Sequence, residues 1–147
     1  MNTRLFYTLL AVQALFAVGL IVVGFSSRET RRIEYLDLTR RITSGQARSE
    51  DFQGLAARLS GGADALAIRT LCGPPMMRAQ ELQVGAQKPE RYTGSFWIYY
   101  PADAHGFPLD FDAIAKLNGP VECFVVSFDE KGRGQGELMT VQHPLKQ

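Results

Sequence analysis

The chain has 147 residues, a net charge of +1 and two cysteines. Its charge is uneven: residues 28–48 carry six arginines and three acids, whereas residues 49–147 carry nine basic and twelve acidic side chains. A mildly acidic C-terminal part without a basic stripe argues against nucleic acid as a partner. About 120 residues follow the N-terminal apolar run, enough for one compact domain and too few for two.

The first element is an apolar run from Leu5 to Phe25 that contains no charged residue. A helix needs about 20 mostly apolar residues to cross a hydrocarbon core, so residues 1–25 are predicted to form an N-terminal tail and a transmembrane helix. A cleaved signal peptide is the alternative, because the short N-terminal segment before the run is basic. The run favours a retained anchor, since the apolar part of a signal peptide has only about 7 to 15 residues.

One face of this helix is suited to contact with another helix. Gln13, Ala17 and Gly24 follow at i, i+4 and i+11, and Ala14 lies beside them. Small residues let two helices approach closely, and an amide can form a hydrogen bond across the contact. The pattern predicts a partner helix in a larger integral membrane protein or complex, and a tolerated lone amide on a passive anchor is the alternative.

Residues 26–45 are predicted to form a basic, amphipathic helical stalk that continues the span. No glycine or proline interrupts the segment before Gly45, which is a suitable helix stop. Arg28, Arg31 and Arg32 follow the apolar run closely and are candidates for contact with lipid headgroups. A solvated helix face is the alternative for these arginines.

The span predicts a single-pass protein of a bacterial-type inner membrane. The short basic segment before the run is typical of a signal anchor that exports its C-terminal part, so we expect a periplasmic head. The five arginines that follow the span within residues 28–41 favour the opposite, cytoplasmic orientation, because positive charge is retained inside.

Residues 46–147 are predicted to form a small α+β extramembrane domain. Helices are expected over 50–59, after Ser49 as N-cap, and over 63–72, where a strand is the alternative. A further short helix is expected over 110–117, capped by Asp110. Strands are expected over 77–84, 94–100, 121–128 and 137–143, giving an antiparallel sheet of three to four strands.

The last two strands flank the sequence DEKGRGQG and form the clearest hairpin of the chain. The glycines at 132, 134 and 136 suggest a phosphate-binding loop, but such loops lead into a helix, and a strand follows here. We therefore interpret residues 129–136 as a flexible hairpin loop.

Cys72 and Cys123 are the only cysteines. In an exported head they could form a disulfide that joins the helical half to the hairpin. Two buried free thiols are the alternative.

Trp97, Tyr99 and Tyr100 lie in the aromatic strand GSFWIYY. They are candidates for a docking surface or for the lining of a ligand pocket, and packing in a core is the alternative. No serine-hydrolase, zinc-protease or nucleotide-binding signature is present. We therefore expect no enzymatic activity, no metal site and no cofactor.

The architecture resembles that of type IV pilins and pseudopilins, which also combine a long apolar N-terminal helix, an amphipathic continuation and an α+β head. Their processing motif is not found here, since Arg4 precedes Leu5 and the span contains no acidic residue. The resemblance implies a component of a pilin-like or secretion-system assembly.

Three functions follow from these patterns. The first is a non-enzymatic accessory or structural subunit of an inner-membrane complex, held through its transmembrane helix and a docked head. The second is a membrane-tethered ligand-binding or sensory domain. The third is the pilin-like assembly component.

Overall fold

The computed structural model describes residues 3–85, 90–104 and 111–145. It divides into two compact units, Met1–Asp37 and Leu38–Gln147, which are described separately. The α+β class and the order of a long N-terminal helix followed by a small head are confirmed. The helices are α1 (Thr3–Thr43), α2 (Ser49–Leu59), α3 (Ala65–Cys72) and α4 (Phe111–Ala115), with one 3₁₀ turn (Ala102–Ala104). The strands are β1 (Ala63–Asp64), β2 (Met77–Val84), β3 (Glu90–Tyr99), β4 (Gly119–Phe128) and β5 (Arg133–His143).

The first unit consists of α1 up to Asp37. Every side chain described in this unit, from Val12 to Asp37, is exposed. The helix contains a segment that is long and apolar enough, by length and composition, to cross a membrane. The predicted uninterrupted helix from the apolar run into the stalk agrees with the bounds of α1.

The second unit begins with the last turn of α1. The helix ends at Thr43, and Gly45 follows with a φ of 70°, in the left-handed region that glycine tolerates best. The Gln46 N–H donates to the Arg41 carbonyl (2.8 Å), which closes the helix end. Leu38 and Ile42 are buried in the head, so the end of α1 is part of the head's core.

The sheet is antiparallel and has the strand order β1-β5-β2-β3-β4. β4 and β5 form the predicted hairpin, with ten residue pairs from Gly119–His143 to Phe128–Gly134. β5 also pairs with β2 at Val84–Val141, so the sheet curls back on itself. β1 pairs with β5 and adds a fifth strand to the predicted three or four. It was not predicted because it has only two residues, Ala63 and Asp64.

Two buried clusters lie on opposite faces of this sheet, because successive side chains of a strand point to opposite sides. The helix-side core packs α1, α2 and α3 against one face; on β4 it includes Phe124 and Val126. The far-side core lies on the other face and includes Cys123 and Val125 of the same strand.

Several predicted boundaries differ from the observed ones. β5 begins at Arg133, so Gly134 and Gly136 belong to the strand and not to the predicted loop. Ser49 is the first residue of α2, and Arg48 occupies the N-cap position. The helix predicted over 63–72 begins at Ala65, because Ala63 and Asp64 pair with β5 as β1. Asp64 caps this helix by accepting from the Ala67 N–H (2.7 Å). The predicted cap Asp110 lies outside the described residues.

Candidate functional site

The described part of the apolar run presents its side chains to the outside all round the helix. Nine large hydrophobic side chains between Val12 and Phe25 are 57–73% exposed. Gln13, Ala14, Ala17 and Gly24 are exposed as well. At about 100° per residue, Gln13, Ala17 and Gly24 lie within about 40° of one another around the helix. The helix therefore brings these three residues to one exposed side, and their contact with a partner helix stays a prediction.

The stalk arginines Arg28, Arg31 and Arg32 are exposed. No ion pair joins any of them to an acid among the side chains that the structure describes. Their guanidinium groups are thus accessible to an anionic partner.

The aromatic residues Trp97, Tyr99 and Tyr100 do not form one surface. Tyr99 is buried in the helix-side core and Tyr100 in the far-side core. Trp97 is partly buried, packs edge-on against Phe128 with ring centroids 4.8 Å apart, and has the Arg78 guanidinium 5.6 Å from its centroid. Trp97 and Tyr99 lie on the helix side of the sheet and Tyr100 on the other side, because successive residues point to opposite faces. The three side chains therefore do not share the predicted docking surface.

The disulfide between Cys72 and Cys123 is not formed, and both cysteines are buried free thiols. Cys72 belongs to the helix-side core and Cys123 to the far-side core, so the sheet lies between them. A disulfide requires Cβ atoms about 4 Å apart. Burial raises the pKa of the Cys72 thiol to about 12 and that of Cys123 further, so both thiols stay protonated at neutral pH.

Tyr99 does line a small apolar pocket of the head. The pocket has a volume of about 240 Å³. Its walls come from the end of α1, the proline turn after α3, and β3: Ile42, Thr43, Gly45, Cys72, Pro74, Pro75, Met76 and Tyr99. The Tyr99 hydroxyl donates to the Gly73 carbonyl (3.1 Å), so its polar atom is used within the protein.

A second pocket, of about 260 Å³, is more polar and was not predicted from the sequence. It is lined by Glu81, Gln83, Arg91, Gln142, His143, Pro144 and Leu145. At its floor the buried His143 has Nδ1 3.3 Å from the Val141 carbonyl and Nε2 2.8 Å from the Tyr100 hydroxyl. A carbonyl can only accept, so the contact with Val141 requires a proton on Nδ1, and Nε2 shares a hydrogen bond with the Tyr100 hydroxyl.

The polar pocket has its own charge pair, because Arg91 Nη1 lies 3.3 Å from Glu81 Oε1. The two opposite charges cancel, so this pair gives the pocket no net charge to attract a charged ligand. No sequence signal could have located the pocket, since its residues come from three strands and the segment that follows β5. Within the described ranges, no group of three or more His, Cys, Asp or Glu side chains could hold a metal ion.

Comparison of the chain with protein-family models, with curated proteins and with solved structures found no match.

Proposed function

We propose that this protein is a non-enzymatic, single-pass subunit of a larger inner-membrane complex. In this proposal α1 is retained as an anchor and packs against a helix of an integral membrane protein, while the head docks on the exposed part of the same complex. The observation that carries the proposal is the apolar, fully exposed segment of α1 with Gln13 on its small-residue face.

Lipid alone satisfies the large side chains of this segment but offers no good partner to the Gln13 amide. An unpaired amide in hydrocarbon is costly. A hydrogen bond to a neighbouring helix contributes about 0.6 to 2 kcal/mol, and Ala17 and Gly24 leave room for the neighbour's backbone. A specific helix contact therefore explains this face better than a passive anchor does.

The proposed orientation places the head in the periplasm. It rests on the short basic segment before the apolar run, which is typical of a signal anchor. The two cysteines do not add support, because they are free thiols. The arginines after the span favour the cytoplasmic alternative.

Photo-crosslinking within the full-length protein tests the helix contact. Val22 is nine residues from Gln13 and therefore lies on the opposite side of α1. We expect a photoreactive residue at Ala17 to crosslink to one integral membrane protein, and the same group at Val22 to give no specific product. Equal products at the two positions, or a lone monomer after native purification, would contradict the proposal.

The substitution Gln13→Leu tests the amide, with Val22→Leu as the matched control. Losing one interhelical hydrogen bond lowers the association constant by about 3- to 30-fold. Co-purification of the crosslinked partner with Gln13→Leu should fall accordingly, while Val22→Leu should retain it. Unchanged recovery with Gln13→Leu would show that the amide does not hold the partner.

The apolar pocket supports a second candidate function, a membrane-tethered ligand-binding head. Its volume is enough for a small apolar molecule or for part of a longer one. Thr43→Phe would fill the pocket from its exposed edge. Extraction and mass analysis of small molecules from the purified full-length protein should then show a species in the wild type that the variant lacks. Identical extracts would rule out this candidate.

A further inference from the structure

Residues 28–37 of α1, which follow the apolar run, separate their charges onto two sides. Taking 100° per residue, Arg28, Arg31 and Arg32 fall within a sector of about 100°. The acids of the same segment lie outside that sector: Glu29 is about 60° from its nearest edge, and Glu34 is also about 60° away on the other side. The stalk therefore presents a basic face to one side.

If the apolar run crosses the bilayer, the basic face begins within the headgroup layer at Arg28 and continues just beyond it to Arg31 and Arg32. With a rise of about 1.5 Å per residue, Arg28 is about 4.5 Å beyond Phe25, and Arg31 and Arg32 are about 9 and about 10.5 Å beyond it. The headgroup layer on each side of the hydrocarbon core is about 5 to 8 Å thick. An extended arginine side chain reaches several ångströms back toward that layer.

We propose that Arg28, Arg31 and Arg32 form a binding face for anionic phospholipid headgroups; this inference rests on the proposed membrane anchoring of α1. The exposed guanidinium groups can each donate two parallel hydrogen bonds to a phosphate. Anionic headgroups are the expected occupant because their charge is opposite to that of the arginines and because headgroups surround the helix at this level. An acidic protein surface is the competing occupant, and the experiment below distinguishes the two.

The test measures lipid selectivity of the full-length protein in vesicles of phosphatidylcholine that contain spin-labelled phosphatidylglycerol or spin-labelled phosphatidylcholine. One guanidinium near the surface gives about a fivefold preference for an anionic lipid. We expect at least that preference for phosphatidylglycerol at low salt and a large loss of it at about 1 M salt, where the Debye length is about 3 Å.

The triple variant Arg28→Gln, Arg31→Gln and Arg32→Gln should lose the preference. A matched variant removes three positive charges from exposed positions of the head, Arg58→Gln, Lys116→Gln and Lys131→Gln, and should keep it. If the wild type shows no preference, or if both variants lose it equally, the inference is wrong. Selectivity that is absent from vesicles while the stalk arginines crosslink to an acidic protein would assign the face to that protein instead.

Extraction of native membranes with alkaline carbonate separates this inference from the anchor on which it rests. A chain that stays in the membrane pellet but shows no lipid preference would overturn the lipid face and leave the anchor intact. Release of the wild-type chain into the supernatant would overturn the anchoring, and the lipid face with it. We expect the wild type and both triple variants to remain in the pellet.

Discussion

Gly134 and Gly136 show how single residues decide the packing of this head. Both lie in β5 and face the helix-side core. A Cβ atom on Gly134 would come 2.5 Å from Ile68, and one on Gly136 would come 2.2 Å from the Phe124 ring. Phe124 in turn stacks on Phe52 of α2, with ring centroids 4.9 Å apart. The missing side chains therefore let the sheet and α2 approach each other.

We expect Gly136→Ala to destabilise the head by about 1 to 3 kcal/mol, because the added methyl group would overpack the core at Phe124. Gly54→Ala in α2 is the matched control, since nothing lies within 4 Å of a Cβ there. It should stabilise the head by up to about 1 kcal/mol through helix propensity. Denaturant unfolding of the full chain in detergent, followed by fluorescence of the only tryptophan, Trp97, measures both. Equal changes in the free energy of unfolding for Gly136→Ala and Gly54→Ala would contradict the proposed overpacking at Phe124.

The two cysteines should be unreactive in the folded protein. Cys72 and Cys123 are buried and protonated, so neither should react with an alkylating reagent at pH 8 in the folded protein. In denaturant without reductant, the intact mass should show two adducts. A chain that takes up no adduct until a reductant is added would have a disulfide and would contradict the structure.

At the scale of elements, the end of α1 is tied to the start of α2 by Asp51. Arg41 Nη2 donates to Asp51 Oδ1 (2.7 Å) and Arg41 Nε to Oδ2 (3.2 Å). The Arg48 N–H also donates to Oδ2 (3.0 Å). Burial alone would raise the pKa of Asp51, but these bonds and the two positive charges together lower it below its usual value near 3.8.

A carboxyl whose pKa is lowered by folding stabilises the folded state at pH values above its unfolded pKa. That contribution is lost as the pH falls through the folded pKa. We expect Asp51→Asn to destabilise the head by about 1 to 2 kcal/mol at pH 7, and its difference from the wild type to shrink below about pH 4. Tryptophan-detected unfolding across the pH range measures this difference.

Glu50→Gln is the control for Asp51→Asn, because Glu50 is exposed and also lies in the first turn of α2. Both variants lose one negative charge near the helix N-terminus, so the helix dipole affects them similarly. A loss of stability that occurs only in Asp51→Asn would assign the effect to the hydrogen bonds with Arg41 and Arg48. Equal losses would assign it to the dipole.

Helices and strands could be predicted where a pattern of neighbouring residues indicates them. Segment 77–84 matches β2 in full, and α2 differs from the predicted 50–59 by one residue at its start. Such segments carry their own hydrophobic periodicity. β1 was not predictable, because its two residues form a strand only through pairing with Arg133 and Gly134. β5 was predicted four residues too short, since glycines are depleted from strands in general.

At the scale of the whole molecule, the proposed anchoring of α1 with a periplasmic head can be tested by labelling from one side of the membrane. Lys131 is in the exposed turn between β4 and β5. Because Cys72 and Cys123 are buried, an added cysteine there would be the main reactive thiol. We expect Lys131→Cys in intact cells with a permeabilised outer membrane to react with a membrane-impermeant maleimide.

Asn2→Cys is the control for this labelling, because it precedes the span and should react only after cell lysis. Reaction of Asn2→Cys in intact cells, with Lys131→Cys protected, would place the head in the cytoplasm. It would also show that the arginines after the span, and not the N-terminal segment, set the orientation.

By itself the sequence determined the apolar helix, the basic stalk and the succession of helices and strands in the head. Each of these depends on residues that are close together in the chain, through periodicity, charge and glycine or proline stops. Only the tertiary structure decided which residues meet. It placed Cys72 and Cys123 on opposite faces of the sheet, buried Tyr99 and Tyr100 in separate cores, and brought His143 to a pocket floor. Those relations depend on pairing between strands that are distant in the chain, which local pattern does not encode.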